Sequence, residues 1–258
     1  MGNRPELVPT NISSVRDKLQ SLIRHQVRQI VLLRFNQALA SMSATDFINT
    51  LLVRGLATRW LLVGEDFRYG HKRSGDIDLL RRAGRHHGFD VRTIRDVGDS
   101  EGQRISSSTL RTALAVGEQE RVSALLGHPY RLSGHVVHGR KLGRSIGFPT
   151  LNLHVPTQCA ARSGVYVVQV HGLSGQVHKG IASLGVRPTV QDKGELLLEV
   201  HLLDAQPDAY GKLVCVEFLA FVRDEIHFPD LSSMITAIKD DVQYAHNYFA
   251  IHGLQKNT

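Results

Sequence analysis

Three glycines recur every fourth residue in Val137–Asn152 (VHGRKLGRSIGFPTLN), at Gly139, Gly143 and Gly147, interleaved with Arg140, Lys141 and Arg144. Glycines let backbone N–H groups wrap an anion, and the basic side chains add net attraction. The spacing equally suits a solvated hairpin, and without a Gly-Lys-Ser/Thr ending it is no Walker A loop. Pro149-Thr150-Leu151-Asn152 follows at once, with a hydroxyl and an amide two residues apart and hence on one side of an extended chain. Hard cations such as Mg²⁺ take oxygen ligands and keep phosphates as partners. The pair therefore reads either as a holder of a metal–nucleotide complex or as a strand-end turn.

A carboxylate, Glu199, stands inside the apolar run Leu196–Leu202. Strand alternation sets Leu197, Glu199 and His201 on one face and Leu198, Val200 and Leu202 on the other. Glu199 is then either on a solvated face or a base aimed at a hydroxyl nucleophile. Earlier in the chain, GEDFRYG (64–70) follows an apolar run, and Arg104–Arg111 (RISSSTLR) sets Ser106, Ser107 and Ser108 at a helix start with Arg111 one turn in. Loops at the carboxyl ends of parallel strands and helix N-termini both bind phosphorylated ligands, while a plain serine cap gives the same pattern.

Two kinds of element must position these residues. Up to Leu126, apolar runs alternate with helical patterns. Helices are expected at Val15–His25, Ser43–Arg54 (Thr45 as cap), Asp76–His87, Ser107–Ala115 and Glu118–Leu126, and strands at Gln29–Phe35, Trp60–Val63 and Asp90–Asp96. Such alternation indicates a parallel sheet with crossovers. From Tyr130 the texture changes to short alternating runs parted by glycines: 130–137, 164–170, 177–184, 196–203 and 214–221. These argue for a small antiparallel barrel or sandwich, closed by a helix over Leu231–His252. The expected organisation is two domains, 1–127 and 128–258.

Composition narrows the function classes. The 258 residues are 42% hydrophobic and 21% charged, an ordinary globular balance that excludes a disordered chain. No apolar run approaches a membrane span, and the charged first thirty residues leave no signal-peptide core. Cys159 and Cys215 make neither a disulfide framework nor a metal spacing, so a cytoplasmic protein is expected. The net charge of +7 favours anionic partners. Nucleic acid is not expected among them, since no helix-turn-helix, RNA-binding sheet signature or zinc spacing is present.

The ordered set GEDFRYG, RISSSTLR, LLGHPY, SGHVVHGRKLGRSIGFPTLN, GVY, GVRPT, LEVHLLD and FVRDEIHF resembles the bacterial bifunctional riboflavin kinase/FMN adenylyltransferase (FAD synthetase) family from about Val15 onward. The resemblance implies a Rossmann-like nucleotidylyltransferase domain followed by a six-stranded Greek-key barrel with a C-terminal helix. The implied kinase transfers phosphate from ATP to the 5′-hydroxyl of riboflavin, giving FMN. It further implies Thr150 and Asn152 as Mg²⁺ ligands and Glu199 as general base. Gly139, Lys141, Gly143, Gly147, Pro149 and Thr150 are implied in ATP binding. The loop Gly185–Thr189, with Arg187, and the residue Arg223 near the final helix are implied in flavin binding. Leu151 stands where the family usually has alanine; its side chain is expected to point away from the Thr150–Asn152 face. The adenylyltransferase half departs further: its His-x-Gly-His occurs nowhere, and the chain is expected to begin about one strand–helix–strand unit late. Asp66, Arg68, Ser106, Ser107 and Arg111 are what remains of that site by resemblance. The expected function is a riboflavin kinase whose FMN adenylylation is lost or impaired. The rivals are a fragment of a fully bifunctional enzyme and a non-catalytic flavin- or nucleotide-binding module.

Overall fold

A computed structural model describes residues 10–139, 142–156, 158–187 and 195–253. The chain divides into two compact units. One is Arg28–Ile105; the other joins the chain up to Val27 with Ser106 onward.

In the first unit, β1 (Trp60–Gly64) and β2 (Asp90–Ile94) pair in parallel, Leu62 opposite Arg92. The helix Ile77–His87 supplies the crossover. Asp76 caps that helix by accepting from the Leu79 N–H, and Gly88 ends it in the left-handed region. Thr45 is not a cap. Ser43 takes that role, and the helix it starts widens into a π-helical stretch, Phe47–Gly55. Ile48, Leu52, Tyr69, Leu80 and Phe89 form the core of this unit.

The expected strand Gln29–Phe35 is not one: the segment is irregular, and Val31, Leu32, Leu33 and Phe35 are exposed. Its composition suits a strand, but a strand exists only through a ladder, and the described residues give this one no partner. Trp60 and Leu62 of β1 are about half exposed.

The second unit is a closed antiparallel barrel of six strands. These are β3 (Tyr130–Val137), β4 (Thr150–Val155), β5 (Gly164–Leu173), β6 (Gln176–Arg187), β7 (Glu195–Leu202) and β8 (Leu213–Arg223). Their order around the barrel is β3-β4-β7-β6-β5-β8. Five strands were legible as alternating runs; β4 was not. Side chains of one parity fill the interior, among them Tyr130, Leu153, Tyr166, Leu198, Val200 and Phe218. On the other parity, Val165, Val167, Ile181 and Leu219 pack under Ala245 and Phe249 of the C-terminal helix Leu231–His252.

The helices Ser107–Val116 and Gln119–Leu126 pack with the barrel: Leu110, Ala113, Leu114 and Val122 join its core. Packing therefore divides the chain elsewhere than at residue 127. The helix Val15–Arg24 also belongs here, capped by Ser14. Its buried residue is Asp17, which accepts from the Ser133 N–H at 3.4 Å, whereas Val15 and Ile23 are exposed.

A charged cluster is buried on the outer face of β3, β8 and β5. Glu217, 1% exposed, accepts from Arg131 Nε at 2.5 Å and from Gln169 Nε2 at 2.6 Å, and His171 Nε2 lies 3.0 Å away. Burial alone would push the Glu217 carboxyl up. The hydrogen bonds from His171 and Gln169, with the charges of His171 and Arg131, outweigh it and hold the group below its ordinary value.

Candidate active site

Strand parity builds the site. Leu151 and Leu153 of β4 face the barrel interior, so Thr150 and Asn152 face out. The register puts Asn152 opposite Glu199 of β7, Thr150 opposite His201, and Glu199 in turn opposite Ser183 of β6. Three adjacent strands thus set a hydroxyl, an amide, a carboxylate and an imidazole on one outer face.

A cavity of about 380 Å³ opens there. Its other walls are Arg223 at the end of β8, the following segment with Glu225, Ile226 and Phe228, and the C-terminal helix through Met234, Ile238 and Asp241. A second cavity of about 450 Å³ lies beside it, lined by Arg144, Pro149, Leu151, Gln206, Asp208 and Tyr210, among others. Among the described residues Thr150 alone lines both.

Asn152 is 6% exposed. Its Nδ2 donates to the Thr150 carbonyl at 3.2 Å, while its buried Oδ1 has no hydrogen-bond partner among the described residues. A buried amide oxygen left unpaired is costly, of order 1–3 kcal/mol. A hard cation answers that need, and the donors at hand are oxygens: Asn152 Oδ1, the Thr150 hydroxyl and the Glu199 carboxylate. The residues fit Mg²⁺.

Gly139 packs directly on this amide: a Cβ there would lie 2.6 Å from Asn152 Cγ, Nδ2 and Oδ1. Gly143 is needed for a similar reason, since its Cβ would fall 2.2 Å from the Phe148 carbonyl oxygen. The Phe148 N–H donates back to the Gly143 carbonyl at 2.7 Å, which closes the turn. Gly147, at φ 91°, lets the chain reverse. Lys141 lies outside the described residues.

Arg223 is held by Asp241, its Nε donating to Oδ1 at 2.8 Å and its Nη2 to Oδ2 at 2.6 Å. This bidentate pair fixes the end of β8 to the helix. Arg187 ends β6, and of the loop Gly185–Thr189 the last two residues, 188 and 189, lie outside the described residues. Gly185 leaves room for the Glu225 carboxylate, which also accepts from the Ser183 hydroxyl at 3.2 Å.

The remaining candidates fall in different units. Asp66 lies 3.4 Å from Arg104, and Arg68 the same distance from Asp76, in the Arg28–Ile105 unit. In the barrel unit, Ser106 caps its helix by accepting from the Thr109 N–H, Ser107 is the first helical residue, and Arg111 Nε donates to the Thr10 carbonyl at 2.7 Å.

Sequence reasoning missed Asp241, Glu225 and His201 as site residues. Asp241 carried a signal: it is an acid between Ile238 and Val242 on an otherwise apolar stripe, where burial demands a partner.

Comparison with known proteins places the chain in a family. Residues 126–249 match the family model Riboflavin kinase, and residues 3–109 match the model FAD synthetase. A bifunctional riboflavin kinase/FMN adenylyltransferase of Haemophilus influenzae is 39% identical over 241 residues, 93% of this chain and 78% of the relative. The protein of the same description from Escherichia coli K12 is 40% identical over 243 residues, 94% of this chain and 77% of its own. A crystal structure described as a macrolide-efflux protein of Streptococcus pneumoniae superposes with a TM-score of 0.78 at 29% identity, covering 96% of this chain and 79% of that one. No helix among the described residues is long and apolar enough to cross a membrane. With both family models matched and about two residues in five shared along nearly its whole length, the chain belongs to the bifunctional riboflavin kinase/FMN adenylyltransferase family.

Proposed function

We propose that the barrel unit catalyses ATP-dependent phosphorylation of the riboflavin 5′-hydroxyl, giving FMN and ADP. The observation that carries this reading is the junction at Thr150: two cavities share this residue, beside an amide oxygen of Asn152 that has no partner among the described residues and opposite the Glu199 carboxylate. A phosphoryl transfer needs two substrates brought end to end, a site for a divalent cation and a modest base.

The apolar wall of Ile226, Phe228, Met234 and Ile238 takes the flavin ring, with Arg223 oriented by Asp241 at its edge. The second cavity takes the nucleotide, with Arg144 at its wall to meet the phosphates. Thr150 and Asn152 hold Mg²⁺, which when bound neutralises charge on the transferring phosphate. Glu199 accepts the proton of the 5′-hydroxyl as its oxygen attacks the terminal phosphorus. The barrel wall and the helix keep water from that oxygen.

Purified protein given riboflavin, ATP and Mg²⁺ forms FMN on this reading, and Glu199→Gln loses about 10²–10⁴-fold in kcat. A folded wild-type sample that makes no FMN overturns it.

FMN adenylylation is absent or severely reduced in these 258 residues. The supporting observation is that no His-x-Gly-His occurs in them, the element the family uses to steady the triphosphate. FAD appearing from FMN and ATP at a rate comparable with the kinase step refutes this part alone.

A further inference from the structure

His201 sits one residue pair from the chemistry, with a hydrogen bond that fixes its protonation pattern. Its Nδ1 lies 2.9 Å from the Pro149 carbonyl oxygen. A carbonyl cannot donate, so Nδ1 carries the hydrogen. The ring is steadied by Phe148, whose edge meets it at 75° with centroids 5.4 Å apart.

The location of that carbonyl gives the bond its meaning. Pro149 ends the turn that begins at Gly143 and immediately precedes Thr150, the residue common to both cavities. Proline has no N–H to give to a ladder, so its carbonyl is its one backbone means of attachment. Within the turn, the Phe148 N–H donates to the Gly143 carbonyl and the Gly147 N–H to the Arg144 carbonyl, bonds that close it locally. His201, opposite Thr150 in the register, connects it to the barrel wall.

We infer that His201 is a positioning residue: by holding the Pro149 carbonyl it sets the place of the Thr150 hydroxyl, and so the affinity of the site for its divalent cation. It acts through Nδ1, and its Nε2 is not required. The inference rests on the kinase reading for the role of Thr150, and it makes a claim that activity alone does not decide.

The two amide replacements separate the nitrogens. Asparagine places its Nδ2 where Nδ1 stood, and glutamine reaches toward the position of Nε2. Mn²⁺ binding in the presence of ADP, followed by the electron paramagnetic resonance signal of the free ion, reads the site without turnover. His201→Asn keeps the wild-type Mn²⁺ dissociation constant to within about threefold. His201→Gln and His201→Phe raise it about five- to tenfold, the usual loss for one hydrogen bond. Steady-state rates follow: the Mg²⁺ concentration for half activity rises in the Gln and Phe variants and not in the Asn variant. A merely structural role lowers melting temperature without moving the cation constant.

Wild-type affinity in His201→Phe overturns the inference, as does rescue by Gln rather than Asn, which assigns the work to Nε2. If the Phe variant does not fold, the Asn–Gln comparison decides alone. Wild-type protein that binds Mn²⁺ and ADP yet forms no FMN fails the kinase reading and leaves the His201 comparison intact.

Discussion

Gly139→Ala is a one-methyl test of the metal site. The backbone at 139 is outside the left-handed region, so alanine brings no conformational strain. The new Cβ would lie 2.6 Å from three atoms of the Asn152 amide, where ordinary contact begins at 3.4 Å. Asn152 is buried, so the amide must withdraw by about 0.8 Å or the segment carrying Gly139 must shift, an overpacking that costs roughly 1–3 kcal/mol of stability. Misplacing a catalytic-site group by about 1 Å costs about 10²-fold in rate, close to 2.7 kcal/mol of barrier. Gly139→Ala is therefore expected to lose about 10²-fold in kcat/KM for MgATP and to need more Mg²⁺ for half activity. The assay is FMN formation by chromatography across a Mg²⁺ titration, with melting temperature measured alongside. Gly175→Ala is the control: at φ 70° with open space around its Cβ, it strains a distant turn and costs about 1 kcal/mol of stability. Its Mg²⁺ requirement stays at wild type. A Gly139→Ala enzyme with wild-type Mg²⁺ dependence would falsify the assignment of Asn152 to the cation.

Other outcomes follow from the ion pairs. Asp241→Asn keeps one acceptor for Arg223 and removes the charge, which is expected to cost about 1–2 kcal/mol of stability because Arg223 is still partly solvated. The freed guanidinium weakens riboflavin binding, read as a right-shifted flavin-fluorescence quenching curve; an unchanged curve removes Arg223 from the flavin site. Glu217 is held below its ordinary 4.5, so the stability it contributes is complete above that pH and is lost as pH falls through the lowered value. Glu217→Gln lowers the melting temperature at pH 7 and flattens the part of the acid unfolding curve below pH 4.5. An acid limb identical in both proteins refutes the linkage.

Strand parity explains what the sequence disclosed and what it concealed. Glu199 and His201 were readable as one face of β7 because alternation is a local property. That Asn152 lies opposite Glu199 was not readable, since it depends on β4 pairing with β7 across 46 intervening positions. Strand β4 itself escaped notice because it follows directly on the proline that ends the glycine turn and its alternation is short. The segment Gln29–Phe35 misled for the converse reason, having a strand's composition and no ladder among the described residues. Asp241 and Glu225 reach the site only through the packing of the final helix and the segment before it; the helical stripe marks Asp241 as buried but does not say against what. Ser106 shows the limit of motif reading, since a serine cluster at a helix start looks the same whether it caps or binds.

The division of labour between the two parities of β7 bears on how the protein tolerates insertion and deletion. Leu198 and Val200 are wholly buried in the barrel, and Glu199 between them faces out. Slipping the strand by one position would push a carboxylate into the interior and turn leucine toward the substrates. Any frame error in this strand is thus punished twice, in folding and in chemistry, and no well-folded, register-shifted, inactive barrel is available as a neighbour in sequence space. Length changes should accumulate in the connections between strands, while β7 varies by substitution alone.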